Sequence, residues 1–354
     1  MPEASFPSIL NDVIGPIMRG PSSSHTAASW RIGRYAGLAL GEAPRAIDIV
    51  FEDQGAFADV FRAQRADLAF IAGALGVDIE DPAYDLAAQK AEAEGVSVSF
   101  SRAVLPGGFD HPNDLDITLA GEEQSVTLRA TSLGGGTIQI KALGDLPVSS
   151  LADAYDVYAW LDPEDAIKAE ARLKASSAEV MVATGESAAG LKLLQARFLT
   201  EPSDACLKAL QASSACPLIK VPPLVLPKPG KPLYTDAASM SAFCRKHKIS
   251  LAEAALHCEA ALLGLPEKRV NELMQRRLGV MLGSVWAGFK REDGLRLLTP
   301  TARGIYEYSL STNALASGAP LKAATRALAA MQENSAGGLV CAAPTAGSAG
   351  VMPG

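Results

Sequence analysis

Apolar and polar residues alternate along several short stretches of the first 150 residues. The period of two is clearest at Ile47, Ile49 and Phe51, and it recurs at residues 96–100, 126–128 and 138–140. Such alternation predicts β-strands with one buried face. Between the first two stretches, residues 58–75 have helical spacing. We therefore predict an α+β domain over residues 1–150.

The pattern changes after residue 150 to a mixture of short strands and helices. A strand is predicted from Tyr155, followed by a helix that begins at Asp162 and Pro163, the residue types preferred at a helix start. Further strands are predicted at residues 179–183 and 217–221, with more helix between them. Residues 151–222 thus resemble a small ferredoxin-like or ACT-like unit. The proline-rich residues 223–234 are predicted to form a semi-rigid linker.

The last third of the chain, residues 235–354, has a helical period throughout. Ser250 and Glu253 form a capping-box pattern ahead of a helix that we expect to end near Gly264. Apolar residues recur at helical spacing over residues 270–285 and again over 321–331. We predict an all-helical domain here, so the fold class of the chain is α+β with a helical C-terminal region.

Composition and charge limit the partners and the compartment that can be expected for the chain. The 354 residues are 48% hydrophobic and carry a net charge of -7, which allows packed cores and disfavours nucleic acid and anionic membranes as partners. No secretory signal is visible, and the longest nearly apolar stretch, residues 68–77, is too short to cross a bilayer. A cytoplasmic protein is expected. The five cysteines are scattered, unlike a disulfide framework or a metal-binding CxxC pattern.

The most unusual segment is Gly-Pro-Ser-Ser-Ser-His-Thr at residues 20–26, directly ahead of a helical pattern. Hydroxyls, an imidazole and the free N–H groups of a helix start can together bind a carboxylate or phosphate. The competing interpretation is that Ser24 only caps the helix and that the other serines are loop residues. Both remain open at this point.

Three other segments have the composition of turns that can contact a ligand. His111 and Asn113 lie in a Pro-containing turn between strands, and glycines at 134–136 permit close approach of a ligand to the backbone. Near the C-terminus, residues 334–350 join a helix end to a loop rich in glycine and hydroxyl groups, a possible anion-binding nest.

Taken together, these blocks resemble the iron-sulfur-dependent L-serine dehydratases. The blocks are residues 20–26, the segment from Gly55 to Asp67 with Gly-Ala-Leu-Gly at 73–76, His-Pro-Asn at 111–113, Gly-Gly-Gly at 134–136, and Ala-Pro-Thr-Ala-Gly-Ser-Ala-Gly-Val-Met-Pro-Gly at 343–354. Their order matches the single-chain arrangement, in which a β-chain-like domain comes first and an α-chain-like domain last.

The resemblance implies conversion of L-serine to pyruvate and ammonia, a step of amino-acid catabolism and gluconeogenesis. It implies a [4Fe-4S] cluster that acts as Lewis acid on the serine hydroxyl while a base removes the Cα proton. His25 and His111 are the implied acid or base groups. The implied substrate-binding residues are Ser22, Ser23, Ser24, Thr26, Asn113, Gly134, Gly135, Gly136, Asn334, Thr345 and Ser348.

Two departures from the family pattern matter. Where the family commonly has Gly-His-Gly-Thr-Asp, this chain has Ala-Gln-Arg-Ala-Asp at 63–67, so Gln64 replaces a histidine and cannot act as an acid or base. The family's cluster-binding cysteines lie beyond the 343–350 loop, and the chain is therefore expected to be C-terminally truncated and to contain no identifiable metal ligands. Cys258 and Cys341 are expected to be structural.

Three interpretations follow. The chain is a serine dehydratase, or an inactive relative that still binds a small amino acid, or a lyase for a related β-hydroxy or β-thiol amino acid. We expect residues 22–26 to converge with His111 and Gly134–Gly136, and Gly337, Gly338 and the 343–350 loop to face the same concavity. A homodimer is expected because apolar helix faces within residues 270–285 need covering.

Overall fold

The computed structural model describes residues 6–106, 110–175, 178–183, 185–187, 189–293, 295, 299–311 and 318–354. The strands are β1 (Ile17–Arg19), β2 (Ala46–Glu52), β3 (Ser97–Ala103), β4 (Asp114–Ala120), β5 (Ser125–Gly134), β6 (Thr137–Leu143), β7 (Leu146–Ser150), β8 (Tyr155–Leu161), β9 (Glu179–Val182), β10 (Lys192–Phe198), β11 (Ile219–Val221) and β12 (Leu339–Cys341). The α-helices are α1 (Ala28–Leu40), α2 (Phe57–Val60), α3 (Ala66–Ala74), α4 (Ala87–Ala93), α5 (Pro163–Ala175), α6 (Asp204–Gln211), α7 (Ala237–His247), α8 (Leu251–Leu263), α9 (Glu267–Lys290), α10 (Ala302–Ser309) and α11 (Ala319–Ser335).

This mixture of helices and strands, with a helical C-terminal region, confirms the predicted fold class. The chain forms two compact units, one made of Met1–Thr26 with Lys228–Gly354 and the other of Ala27–Pro227. The first 26 residues therefore group with the helical region. The domain boundaries predicted at residues 150, 222 and 234 stay predictions. Residues 223–234 contain no helix or strand.

The larger unit contains a six-stranded sheet in the order β3-β2-β4-β5-β6-β7, in which only β2 and β3 are parallel. The alternating residues Ile47, Ile49 and Phe51 are buried, as their period of two predicts. Helix α1 packs on this sheet and against α3. The two helices approach closely because they meet at glycines: a Cβ atom on Gly33 would lie 2.4 Å from the Phe70 carbonyl oxygen.

A second sheet in the same unit has the order β11-β8-β10-β9, with all neighbouring strands antiparallel. Along the chain its elements run β8-α5-β9-β10-α6-β11. This β-α-β-β-α-β succession defines the ferredoxin-like arrangement. The structure thus confirms the ferredoxin-like arrangement that was predicted for the middle of the chain.

The predicted helix over residues 58–75 is wrong as a continuous element. The segment forms two helices, α2 and α3, separated by turns. Arg65, immediately before α3, has a φ of 61°. A residue in the left-handed region cannot lie inside a right-handed α-helix, so the helix restarts after it.

In the smaller unit, β1 pairs with β12 and joins the first residues to the last helix. Ahead of β1, residues Ile9–Val13 form one turn of π-helix. The buried Glu259 carboxylate accepts hydrogen bonds from the Ile9 and Leu10 amides at 2.9 and 3.0 Å. Arg277 donates from Nε to the Ile14 carbonyl at the other end of this turn, at 2.6 Å, and from Nη2 to the Leu10 carbonyl at 2.9 Å. A negative group thus satisfies the free N–H groups and a positive group the free carbonyls.

The helices of this unit have the caps that the sequence predicts. The Ser250 hydroxyl accepts from the Glu253 amide, and the Glu253 carboxylate accepts from the Ser250 amide at 2.8 Å, completing the capping box of α8. The helix ends at Gly264 in a left-handed conformation, as expected. None of the described helices is both long and apolar enough to span a membrane.

Candidate active site

The serine-rich run forms a tight turn at the start of a helical stretch. Residues Ser23–Ala27 make one turn of π-helix that leads directly into α1. The Ser22 carbonyl accepts from the Thr26 amide at 2.7 Å. The buried Thr26 hydroxyl lies 2.6 Å from both the Ser22 and Arg19 carbonyl oxygens. Thr26 therefore closes the turn.

The hydroxyls of this turn surround one imidazole. Ser22 Oγ and Ser24 Oγ each lie 3.0 Å from His25 Nδ1, and they lie 3.1 Å from each other. The N-cap of α1 is Ala27, without a side-chain cap hydrogen bond. The interpretation that Ser24 merely caps this helix is therefore wrong, because its hydroxyl contacts the imidazole instead.

Burial lowers the pKa of His25 below its ordinary value of 6.5. The ring is therefore neutral at pH 7, with one protonated and one unprotonated nitrogen. A neutral imidazole held by hydroxyl groups can accept a proton from a bound substrate and return it. This arrangement is suited to acid-base chemistry.

Asn334, at the end of α11, lies against the residues that lead into the serine run. Its Nδ2 donates to the Pro21 carbonyl at 3.2 Å, and the Gly20 amide donates to the Gly338 carbonyl at 3.0 Å. In the described part of the chain, the buried Asn334 Oδ1 has no hydrogen-bond partner. The structure thus brings Asn334 next to the serine run, as the sequence analysis expects, and leaves it an unused acceptor.

Thr345 and Ser348 occupy a different position. Because β1 and β12 are antiparallel, Gly20 lies beside the start of β12, whereas the 343–350 loop follows its end. Within the loop, the Thr345 and Ser348 hydroxyls are 2.9 Å apart, and Ser348 donates to the Ala343 carbonyl at 2.8 Å. Thr345 and Ser348 therefore lie near one end of the β1–β12 pair, and Asn334 lies near the other end.

In the larger unit, the turn with His111 and the glycine turn are adjacent. His111 Nδ1 accepts from the Asn113 amide at 3.1 Å, and Asn113 Nδ2 donates to the Ser132 carbonyl at 3.1 Å. The first contact fixes the imidazole, and the second ties its turn to the end of β5. Gly108 and Phe109, which precede this turn, lie outside the described residues.

The glycine turn itself requires glycine. Gly134, Gly135 and Gly136 have φ angles of 102°, 61° and 84°, a succession that side chains with a Cβ atom rarely adopt. The turn joins β5 to β6 and presents backbone rather than side chains. Backbone of this kind allows a ligand to approach closely.

Arg31 in α1 was not predicted to belong to a site. Its Nη1 donates to the Gly136 carbonyl at 2.5 Å. Burial lowers the pKa of Arg31 to about 10, so the guanidinium stays charged at pH 7. It places a cation at the glycine turn, where it can attract a carboxylate. The signal in the sequence was an arginine in the first turns of the helix that follows the serine run.

Apart from Thr345 and Ser348, the predicted site residues therefore form one cluster in each compact unit. Ser22, Ser23, Ser24, His25, Thr26 and Asn334 lie in the smaller unit, and His111, Asn113, Gly134, Gly135 and Gly136 lie in the larger unit. Convergence of His25 with His111 stays a prediction, and so does the part of each residue in binding or catalysis.

The described residues do not fit an iron-sulfur cluster. Among them, no group of three or more His, Cys, Asp or Glu side chains is close enough to hold a metal ion. Cys341 Sγ lies against the Ala342 carbonyl in β12, and Cys258 is buried in α8. The part of the chain that the structure describes supplies no convergent thiolates for the cluster that the resemblance implies.

Comparison with known proteins finds a family model that is similar to the C-terminal part of the chain. A family model described as the serine dehydratase alpha chain matches residues 246–354. This region contains helices α8 to α11, Asn334 and the 343–350 loop. The match supports, for this region, the resemblance to serine dehydratases that the motifs indicate.

Two named proteins are similar to part of the chain. The first, from Bacillus subtilis (strain 168), is named probable L-serine dehydratase, beta chain; it is 41% identical over 132 residues, which are 37% of this chain and 58% of that protein. The second, from Peptoniphilus asaccharolyticus, is named L-serine dehydratase, beta chain; it is 31% identical over 140 residues, 39% of this chain and 61% of that protein. The chain thus spans about three fifths of the length of these relatives.

Proposed function

We propose that this chain binds L-serine and contributes to its dehydration to pyruvate and ammonia, in a single-chain serine dehydratase. The observation that carries the proposal is the neutral His25 imidazole held by Ser22 and Ser24 at a helix start. The similarity to alpha-chain and beta-chain sequences of serine dehydratases supports it.

Binding of the substrate carboxylate is the first contribution. Ser23 and its neighbours offer hydroxyl donors at the helix start, where the dipole also favours negative charge. Asn334 offers an unused carbonyl oxygen, which can accept a hydrogen bond from the substrate ammonium. Together these groups match the two charged ends of an amino acid.

Proton transfer is the second contribution. L-serine must lose the proton on Cα and the hydroxyl on Cβ, which together leave as water. We assign the Cα proton to His25, because its ring is neutral and can accept it. The resulting 2-aminoacrylate tautomerises to an imine, which takes up water and releases ammonia to give pyruvate.

The resemblance assigns departure of the hydroxyl to a [4Fe-4S] Lewis acid. The described residues do not supply the ligands of such a cluster. The roles argued for Ser22 to Thr26 and for Asn334 concern substrate binding and the Cα proton alone. They can be tested by binding without the cluster.

The binding test is calorimetric titration of the chain with L-serine. Ser23→Ala should raise the dissociation constant about tenfold, since a hydrogen bond to a charged group contributes roughly 1.5–3 kcal/mol. Ser309→Ala in α10 is the matched control and should leave binding unchanged. Equal affinity of Ser23→Ala and the parent chain would remove the carboxylate role.

The proton-transfer test is exchange of the Cα proton of L-serine with solvent deuterium, followed by NMR without iron or sulfide. His25→Ala should lower the exchange rate by about 10²-fold or more, as expected for loss of a general base. His257→Ala, a surface histidine near Glu267, is the control and should retain the exchange. Unchanged exchange by His25→Ala would exclude the role proposed for His25, and L-serine binding without any exchange would favour an amino-acid-binding relative.

A further inference from the structure

The turn that contains His111 is closed by one lysine. The Lys141 ammonium in β6 lies 2.8 Å from Asp114 Oδ1 and also contacts the Asp110 carboxylate. Asp110 and Asp114 lie on either side of His111 in the chain, so the two ion pairs hold both ends of its turn on the same ammonium. Asp114 is buried, whereas Asp110 faces solvent. A buried carboxylate needs such a partner to stay charged.

Asp114 fixes the backbone of His111. Its Oδ2 accepts from the His111 amide at 3.2 Å, and the His111 carbonyl accepts from the Asp114 amide at 3.1 Å. The buried Thr131 hydroxyl in β5 donates to Asp114 Oδ1. Both oxygens of the carboxylate are thus occupied by groups of the protein. Asp114 therefore supports the turn and is not itself available to a ligand.

The two nitrogens of the His111 imidazole are in different surroundings. Nδ1 accepts from the Asn113 amide at 3.1 Å. Because a backbone amide can only donate, Nδ1 carries no proton, and the proton of the neutral ring is on Nε2. His25 differs, since the hydroxyls of Ser22 and Ser24 that face its Nδ1 can donate or accept. Of the two imidazoles, His111 is the one whose tautomer is fixed, and it presents a donor.

Hydrogen-bond donors lie at both ends of the neighbouring glycine turn. Asn113 Nδ2 donates to the Ser132 carbonyl ahead of the glycines, and Arg31 Nη1 donates to the Gly136 carbonyl at their end. The pKa of Arg31 is lowered by burial alone, without a compensating carboxylate in the described part of the chain. A guanidinium and a fixed N–H donor favour an oxyanion and disfavour an ammonium.

We propose that Asp114 and Lys141 are positioning residues that hold His111 as a hydrogen-bond donor through Nε2, and that the ligand group which this imidazole meets is a carboxylate. For the reaction proposed above, His111 is then not the base. Its N–H stabilises the negative charge that develops when Cα of the substrate loses its proton. This role in the reaction rests on the proposed function, whereas the tautomer and the ligand class do not.

The tautomer is tested by NMR of the chain labelled with ¹⁵N-histidine at pH 8, where correlations between ring protons and ring nitrogens show which nitrogen is protonated. The chain has four histidines, and the signals that disappear in His111→Gln are those of His111. We expect a single tautomer, with Nδ1 unprotonated and Nε2 protonated. A protonated Nδ1, or an exchanging mixture of tautomers, would overturn the proposal.

The positioning role is tested with the same spectra. Lys141→Met should give a mixture of His111 tautomers, because the buried Asp114 loses its counter-charge and releases the turn. Lys141→Arg keeps the charge and should retain the single tautomer. Lys192→Met is the matched control and should leave His111 unchanged, since Lys192 is also a half-buried strand lysine that pairs with a carboxylate.

A milder variant guards against loss of the fold in Lys141→Met. Asp110→Asn changes only the exposed end of the turn and should also produce a second tautomer of His111, because one of the two ion pairs that hold the turn is removed. Circular dichroism shows which variants are folded. A single Nε2–H tautomer in either variant, with the fold retained, would exclude the positioning role.

The ligand class is tested by titrating the labelled chain with sodium acetate or with methylammonium chloride at constant ionic strength. Acetate should shift the His111 Nε2 signal, and the shift should be lost in Arg31→Gln and kept in Arg34→Gln, a change on the same helix. Methylammonium should have no effect. A response to methylammonium alone, or none to acetate, would overturn the carboxylate assignment. These readouts do not use L-serine, so their failure is distinct from failure of the binding and exchange tests above.

Discussion

At the residue scale, Arg65 is a departure from the family pattern with a structural cost. It has a φ of 61° immediately before α3, and it stands where the serine dehydratase motif that this segment resembles has glycine. The left-handed region is unfavourable for a residue with a Cβ atom and neutral for glycine. The Arg65 guanidinium forms an ion pair with the Asp85 carboxylate at the surface.

We expect Arg65→Gly to raise the free energy of unfolding by up to about 1 kcal/mol, because relief of the left-handed strain exceeds the loss of a surface ion pair. Urea denaturation measures the change. Lys90→Gly in the right-handed helix α4 is the control and should lower the free energy of unfolding by roughly 1 kcal/mol. Destabilisation by both changes would show that the strain at Arg65 is negligible.

His25 provides a prediction about pH. Burial lowers its pKa below 6.5, so between the lowered pKa and 6.5 the unfolded chain binds a proton that the folded chain does not. Protonation of His25 in the unfolded chain therefore lowers the free energy of unfolding as the pH falls below 6.5. Above 6.5 this loss of stability disappears. We expect the His25 resonances to titrate with a midpoint below 6.5 in NMR spectra.

The same argument predicts the behaviour of His25→Asn. Relative to the parent chain, this variant should gain stability when the pH falls from 7.5 to 5.5, because it has no buried imidazole to protonate. A midpoint for His25 above 6.5 would contradict the argued sign.

At the element scale, the contact between α9 and α11 depends on one glycine. A Cβ atom on Gly288 would lie 1.8 Å from the Ala329 carbonyl oxygen, so the helices cannot keep their separation if this residue has a side chain. Backbone atoms of a neighbouring helix cannot move aside as a flexible side chain can. The glycine therefore sets the distance between these two helices.

Gly288→Ala should lower the free energy of unfolding by about 1–3 kcal/mol through overpacking. Gly304→Ala in α10 is the matched control, because its Cβ atom would meet nothing within 4 Å. That change should raise stability by up to about 1 kcal/mol through helix propensity. Thermal or urea unfolding of both variants measures the difference, and equal effects would show that the contact is not limiting.

At the scale of the whole molecule, a buried polar network holds the parts of the larger unit together. The Tyr35 hydroxyl in α1 donates to Asp156 Oδ2 in β8 at 2.9 Å and lies 2.6 Å from the Tyr158 hydroxyl. Gln195 Nε2 in β10 contacts the same carboxylate at 3.3 Å. Burial raises the pKa values of Tyr35 and Asp156, so the Tyr35 hydroxyl stays protonated and can donate a hydrogen bond. The network links the helix after the serine run to the ferredoxin-like sheet.

Tyr35→Phe and Tyr158→Phe should each lower the free energy of unfolding by about 1–3 kcal/mol, since each leaves buried groups without a partner. Their effects should be less than additive in the double variant, because both hydroxyls belong to one network. A double-mutant cycle by urea denaturation measures the coupling. Tyr155→Phe, on the same strand, is the control for the tyrosine change, and strict additivity would show that the two hydroxyls act separately.

Sequence by itself determined the features that depend on neighbouring residues. Periods of two identified buried faces such as that of Ile47, Ile49 and Phe51, and caps located the ends of α8. After residue 155 the pattern predicted β8, α5, β9 and β11, but it missed the strand β10, so it gave the ferredoxin-like arrangement only in outline. These features were predictable because side-chain alternation, capping and turn formation are decided within a few residues. The serine run was singled out for the same reason.

Tertiary structure decided what depends on residues far apart in the chain. The pairing of β1 with β12, the capping of residues 9–13 by Glu259 and the contact of Arg31 with the glycine turn have no local pattern. Each of them is formed only when a long loop is closed by other contacts, and its partners carry no mark of one another in the sequence. The interruption at Arg65 belongs here too, since packing around α3 overrides the helical period of residues 58–75. Periodicity specifies which side of an element is buried, whereas packing decides what that side meets.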